Sequence, residues 1–173
     1  MICLVRHAHA GDKQGWIRDD ELRPLSRTGW QEAAGLLVQL GGVRISAVLA
    51  SPAVRCVQTV RDLAADRGLA VATDARLGRD RPVADLLAVA TERPEDGGTV
   101  LCSHGETIGA LLAFLRGAGA PIPADAEWPK GSAWLLDVRR GSVAAARYLP
   151  PLRIAAPADP QQDFAESRYR SPQ

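Results

Sequence analysis

Two histidines and two arginines in this chain stand where elements of secondary structure should end. "LVRHAHAGD" puts Arg6-His7 directly after an apolar run, "ASPAVRC" puts Arg55 just past a Ser-Pro turn, and "VLCSHGE" puts His104 after another apolar run. Arginine presents paired N–H donors that fit phosphate oxygens, each charge-assisted bond contributing about 1.5–3 kcal/mol. Neutral imidazole is a competent nucleophile toward phosphorus, and passing a phosphoryl group first to histidine and then to water divides one hard step into two easier ones. Guanidinium groups beside the imidazole would hold its pKa below the usual ~6.5 and keep a lone pair free at neutral pH. Gly105, ahead of an apolar helical stretch, would let backbone N–H groups at a helix N-terminus face the same anion.

For these residues to meet, several strands must end on one edge. Ile2 to Val5 is a continuous apolar run, as in a strand covered on both faces. Trp30, Ala33, Leu37 and Leu40 recur at helical spacing, with Thr28 and Gln31 placed as a capping box. "ISAVLA" (Ile45 to Ala50) is a second strand, and a helix follows with Cys56, Val60, Leu63 and Ala64 on one face, closed by Gly68. "LAVAT" predicts a third strand, Val83 to Thr91 a helix opened by Pro82, Thr99 to His104 a fourth strand, and Glu106 to Arg116 a helix stopped by Gly117. Such alternation predicts a three-layer α/β/α fold around a mostly parallel sheet, with ligands just outside the carboxyl ends of its strands. After a Gly-, Ala- and Pro-rich stretch from Gly117 to Gly131, "SAWLLDV" and "VAAARYL" flank Arg139 to Ser142 and predict an antiparallel C-terminal edge hairpin. Residues 1–149 are thus expected to form one domain, and 150–173, with five prolines and no periodicity, an extended or disordered tail.

Composition narrows the partners. The 173 residues carry 21 Lys and Arg against 20 Asp and Glu, a net charge of +1 that gives no reason to expect nucleic acid or an anionic membrane. The chain shows no basic leader, and no apolar run approaches the ~18 residues of a membrane span. Cys3, Cys56 and Cys102 read as reduced core residues, so a cytoplasmic protein is expected.

The four motifs together resemble those of the histidine phosphatase superfamily, the phosphoglycerate mutase-like family. "LVRHAHAGD" is similar to its Arg-His-Gly signature, "RPLSRTGWQEA" to its Pro-Leu-Thr helix start, "ASPAVRCVQTV" to its Ser-Ser-Pro-x-x-Arg element and "VLCSHGETI" to the segment bearing its second histidine. The resemblance spans residues 2 to 116. Size and the short middle section are most similar to the small SixA-type phosphohistidine phosphatases. "GDKQGW", "CSHGE" and "WPKGSAWLL" also look like the phosphatase half of actinobacterial proteins fused to a MutT-type Nudix domain. The resemblance implies a phosphoglycerate mutase-like fold and a phosphatase that needs no metal and no cofactor. His7 would be the nucleophile that becomes phosphorylated, and Arg6, Arg55 and His104 would hold the phosphoryl group. The substrate would be a phosphorylated small molecule, a nucleotide or a phosphohistidine protein.

This chain departs from the family pattern at two places. Ala8 replaces the glycine after the nucleophile, and "ARLGRDRP" puts Arg79 where larger members carry the glutamate that protonates the leaving group. Asp80 and Glu106 are the two candidates for that acid. With no dedicated acid, leaving groups that depart readily would be favoured: phosphohistidine imidazole, a phenolate or a nucleotide phosphate. A phosphate-recognising regulatory module without turnover is the competing reading, and a nucleotide (di)phosphate phosphatase another. His7, His9 and Asp12 offer a metal-site alternative, weakened by the presence of only one further histidine. Lys130 in "WPKGS" is a candidate substrate contact or a solvated loop lysine. His9 reads as a solvated loop residue. "RDDELR" (Arg18 to Arg23) reads as a self-compensating solvated run, or as a screen at the mouth of the site. Trp16, Trp30, Trp128 and Trp134 read mainly as packing.

Overall fold

A computed structural model describes residues 1–92 and 97–155. Among them six strands, β1 (Ile2–Arg6), β2 (Ile45–Ala50), β3 (Val71–Thr73), β4 (Gly98–Ser103), β5 (Ala133–Arg139) and β6 (Ser142–Leu149), form one sheet in the order β3-β2-β4-β1-β5-β6. The first four in that order run parallel, while β5 and β6 are antiparallel at the far edge. Residues Arg140 and Gly141, at φ 51° and 77°, make the two-residue turn between β5 and β6. Two successive positive φ values match the right-handed twist of the strands they join.

The helices α1 (Arg27–Gln39), α2 (Val54–Asp66), α3 (Val83–Thr91) and α4 (Gly105–Gly117) complete three layers. On one face Leu36, Leu40, Cys56, Val60 and Leu63 pack on Cys3, Val5, Val48 and Val100. On the other Leu86, Val89, Ile108 and Leu112 pack on Leu4, Leu49 and Leu101. Leucines at 0–1% exposure each add about 1.5–3 kcal/mol of transfer free energy. Alternate residues of β1 point into opposite cores, so its unbroken apolar run is required by helices on both sides.

Local details differ from the sequence reading. Helix α1 opens at Ser26, whose hydroxyl accepts from Gly29 N–H, rather than at a Thr28–Gln31 box. Strand β3 covers only the last three residues of "LAVAT". Gly117 is still helical, and the chain reverses at Gly119, whose φ of +89° suits a residue without a side chain.

Residues 150–155 run back across α1: Gln39 Nε2 donates to Pro150 O, and Ile154 N–H donates to Gln31 O. The backbone of Leu152 lies where a side chain at Gly35 would stand, its carbonyl carbon 2.6 Å from that point. The rest of the tail, 156–173, falls outside the described residues. A helix-interior Gly→Ala substitution ordinarily adds about 1 kcal/mol of stability. Gly35→Ala is expected to lower the thermal midpoint instead, because the new methyl must displace residues 150–155; calorimetric melting of the two proteins reads the sign directly.

Candidate active site

Strand register builds the site. Arg6 pairs with Ser103 across β1 and β4, and Ala50 pairs with Cys102 across β2 and β4, so His7, Ser51 and His104 follow at one level. The connections leaving β1 and β4 travel to opposite sides of the sheet, which opens a crevice at their carboxyl ends. His7 N–H is held by Ser103 O at 3.0 Å, and Arg6 N–H by Ser132 O at 3.0 Å.

His7 is 5% exposed, and its Nδ1 lies 2.8 Å from the Ala8 carbonyl. A carbonyl only accepts, so Nδ1 carries the proton and Nε2 keeps the lone pair. The pKa is lowered to about 3, first by burial and further by the charges of Arg55, His104 and Arg6, against the raising effect of the Ala8 bond. The guanidinium groups therefore act as expected but are secondary to desolvation.

His104 packs edge-on to His7, ring centroids 5.4 Å apart. Its Nδ1 accepts from Arg55 Nη2 at 3.4 Å, which leaves Nε2–H to donate to Ser51 Oγ at 2.9 Å. Arg55 is 1% exposed on the first turn of α2; its Nη1 donates to Asp20 O at 2.6 Å and its Nη2 pairs with Asp20 Oδ2 at 3.2 Å. Arg6 Nη1 donates to Trp128 O at 2.8 Å. Its guanidinium lies against Gly105, where a Cβ would come within 2.7 Å of Arg6 Cζ, so this glycine is needed for close approach of a side chain. Both Arg6 Nε and Arg55 Nε are buried without a hydrogen-bond partner.

A cavity of about 530 Å³ opens over these groups, with Arg6, His7, His9, Arg23, Arg79, Glu106 and Lys130 on its wall. The structure thus brings Arg6, His7, Glu106 and Lys130 to one opening, with Arg55 and His104 buried behind. Glu106 stands at the start of α4, where its carboxylate accepts from its own N–H, and that bond, with the charges of Arg79, His104 and Arg6, holds its pKa below the usual carboxylate range. It is ionised at neutral pH and has no proton to donate. Asp80 does not line the cavity; it sits at φ 57° in the turn after the short helix Ala75–Leu77. Aspartate tolerates that left-handed conformation better than most residues.

Two features escaped the sequence reading. The "RDDELR" run is solvated only in part: Arg18, Asp19, Glu21 and Leu22 are exposed, but Arg23 is 5% exposed, and the Asp20 carboxylate binds Arg23 Nε at 2.9 Å, Arg55 at 3.2 Å and Arg79 Nη2 at 3.3 Å. His9 is half-buried on the cavity wall, its Nδ1 2.7 Å from Ser26 Oγ. Among the described residues no group of three or more His, Cys, Asp or Glu is arranged to hold a metal ion, the alternative raised for His7, His9 and Asp12. Trp30 and Trp134 are core residues as expected, while Trp128 lines a second cavity of about 410 Å³ beside Arg6 and Glu106. The three cysteines are buried and free. No helix among the described residues is long and apolar enough to cross a membrane.

Residues 2–78 match the model of the histidine phosphatase superfamily (branch 1). Over that stretch, from β1 to the turn at Gly78, the chain is similar to members of that superfamily. It is 31% identical over 157 residues to an 8-oxo-(d)GTP phosphatase of Mycolicibacterium smegmatis, an alignment covering 87% of this chain and 48% of the relative. The chain therefore spans about half the length of that protein. The fold is shared with the protein histidine phosphatase SixA complexed with tungstate, at TM-score 0.66 and 22% identity over 88% of this chain and 96% of that one. It is shared also with YhfR of Bacillus stearothermophilus, at TM-score 0.66 and 18% identity over 83% and 94% of the two chains. At such identities the likeness concerns the fold alone.

The depressed His7 pKa has a consequence for stability. Between pH 6.5 and about 3 the unfolded chain binds a proton at this residue that the folded chain refuses, so stability falls as pH falls through that window. Denaturant midpoints of His7→Gln are expected to gain on those of the unsubstituted protein as pH is lowered from 6.5 to 4.5. A pH-independent difference would mean that His7 titrates normally.

Proposed function

We propose that this chain is a phosphatase that works through a covalent phosphohistidine at His7. The observation that carries the reading is the pairing of a free Nε2 lone pair on a buried, neutral His7 with two buried, unpartnered guanidinium N–H groups, Arg6 Nε and Arg55 Nε. An unsatisfied buried donor costs about 1–3 kcal/mol, and a phosphoryl oxygen would satisfy both. Nε2 attacks phosphorus as the bond from phosphorus to the leaving group breaks and its electron pair departs with that group; Arg6 and Arg55 hold the equatorial oxygens, and His104 keeps Arg55 in place through the Nδ1 contact. The charge is supplied by side chains, so no metal or cofactor is required.

Water then attacks the phosphohistidine, and the N–P bond breaks with its electron pair returning to Nε2. Glu106, ionised on the cavity wall, is placed to take the proton of that water. The same ionisation removes it as an acid for the leaving group. Substrates whose leaving groups depart without a proton are accordingly favoured, which fits the phosphohistidine activity named for the SixA relative and the nucleotide activity named for the mycobacterial one.

His7→Ala is expected to abolish turnover of an aryl phosphate, a loss of at least about 10³-fold, and to remove the acid-labile phosphoenzyme trapped by rapid quench. Turnover surviving in that variant would assign the chemistry to another group, and no turnover in the unsubstituted protein would return the chain to a phosphate-recognising module. Glu106→Gln is expected to lower kcat by about 10²-fold while phosphoenzyme still forms in a burst. Loss of the burst itself would assign Glu106 to the first step.

A further inference from the structure

The cavity holds more positive charge than one phosphoryl group can neutralise. Its wall carries Arg6, Lys13, Arg23, Arg79 and Lys130 against Asp12 and Glu106. Behind it Arg55 and Asp20 add one charge of each sign, and that single carboxylate is already shared by Arg23, Arg55 and Arg79. The surplus is three, whereas a phosphomonoester brings roughly −1.5 to −2.

Two of these cations stand on fixed backbone turns. Lys130 precedes Gly131, whose N–H is held by the carbonyls of Arg6 and His7 at 3.2 Å. Gly131 has φ +77°, and a Cβ there would come within 2.9 Å of Glu32 Cβ. Among the described residues Lys130 has no ion-pair partner, and burial followed by the charges of Arg6 and Arg23 lowers its pKa. Arg79 follows Gly78, whose carbonyl accepts from Thr107 Oγ1 at 3.1 Å, and precedes the left-handed turn at Asp80. Asp20 contacts only its Nη2, at 3.3 Å, which leaves the remaining guanidinium donors available.

Resting on the phosphatase reading of this cavity, we propose that Arg79 and Lys130 form a second anion subsite, which takes the leaving phosphate of a phosphoric anhydride such as a nucleoside diphosphate. A guanidinium cannot protonate a leaving group, but it can hold one that departs as an anion. An alkoxide is too basic to leave in this way, and a neutral imidazole gains nothing from a cation. A phosphate, with a second pKa of about 6, leaves ionised and presents several oxygens to the paired donors. In the first step the bond from His7 Nε2 to the terminal phosphorus forms. The bond from that phosphorus to the bridging oxygen breaks, its electron pair staying on the departing phosphate between Arg79 and Lys130. No proton is needed. Water then cleaves the phosphohistidine as in the first reading, releasing inorganic phosphate and a proton. A volume of about 530 Å³ lies within the usual range of small-ligand pockets and has room for two adjoining phosphoryl groups.

The test compares a nucleoside diphosphate with phenyl phosphate in the unsubstituted protein, Arg79→Gln and Lys130→Gln. The expected result is kcat/KM at least tenfold higher on the diphosphate, and a fall of about 10- to 100-fold on it in each variant, at least ten times the fall on phenyl phosphate. Equal falls on both substrates, or equal kcat/KM in the unsubstituted protein, would overturn the subsite. Calorimetric binding of the uncleavable methylenediphosphonate against methylphosphonate separates this from the phosphatase reading. Tenfold tighter binding of the diphosphonate, lost in Arg79→Gln, supports the subsite even in a protein without turnover. Equal binding overturns it even where His7-dependent turnover is seen.

Discussion

Asp20 holds together what would otherwise repel. Arg23, Arg55 and Arg79 come from three separate parts of the chain and converge on one carboxylate, and two of the three are almost fully buried. Removing guanidinium groups from water costs several kcal/mol each unless an opposite charge and hydrogen bonds compensate. Asp20 supplies both, through its carboxylate and its backbone carbonyl, and those neighbours keep its own pKa low. It also fixes the guanidinium of Arg55 against His104, so the position of charge behind the nucleophile depends on a residue that never touches His7.

Neutrality of the nucleophile has a different origin. A cationic surrounding lowers a histidine pKa, but burial is the larger cause at His7, and burial comes from the sheet. The parallel pairing of β1 with β4 continues one residue beyond the strand through His7 N–H to Ser103 O, which draws the imidazole under the crevice rim. Its Nδ1–H then turns back to the carbonyl of the next residue, and the lone pair is left on the other nitrogen. The replacement of glycine by Ala8 is accommodated in the same way: Ala8 is fully buried, its N–H is bound by Thr59 Oγ1 at 2.9 Å, and it does not adopt a positive φ. Tautomer, burial and orientation therefore follow from backbone geometry, with the arginines adding to a state already set.

What the sequence made readable is the part written in contiguous residues. Unbroken apolar runs that stop at Arg6-His7 and at His104 announce buried strands ending in chemistry, and the face formed by Cys56, Val60, Leu63 and Ala64 is buried as its spacing requires. The part that was misread depends on partners far away in the chain. "RDDELR" looks self-neutralising, yet Asp20 pairs with Arg55, 35 residues on, and with Arg79, 59 residues on. His9 looks solvated because nothing nearby in sequence reveals that Ser26 will meet it 17 residues later. Ser26 in turn displaces Thr28 as the helix cap because its hydroxyl lies between His9 and Gly29 N–H, a choice made by tertiary contact. Asp80, a candidate acid by its place in the sequence, sits in a left-handed turn off the cavity wall.

A second carboxylate, this one buried, organises the loops after His7 and before β5. Glu32 on α1 is 3% exposed; its Oε2 accepts from His9 N–H at 2.9 Å and its Oε1 from Arg153 at 3.2 Å. The turn that carries Lys130 rests on the same side chain through Gly131, where only hydrogen fits. Arg153 belongs to the segment that crosses α1 over Gly35, so Glu32 joins that segment, the loop after His7 and the Lys130 turn at one point. Asp20 gathers the arginines that face His7 from α2 and the Arg79 turn, and Glu32 steadies the loops that carry His9 and Lys130. The cations on this cavity's wall repel one another, and two carboxylates, partly exposed Asp20 among the arginines and buried Glu32 among the loops, hold their carriers in place alongside the apolar packing.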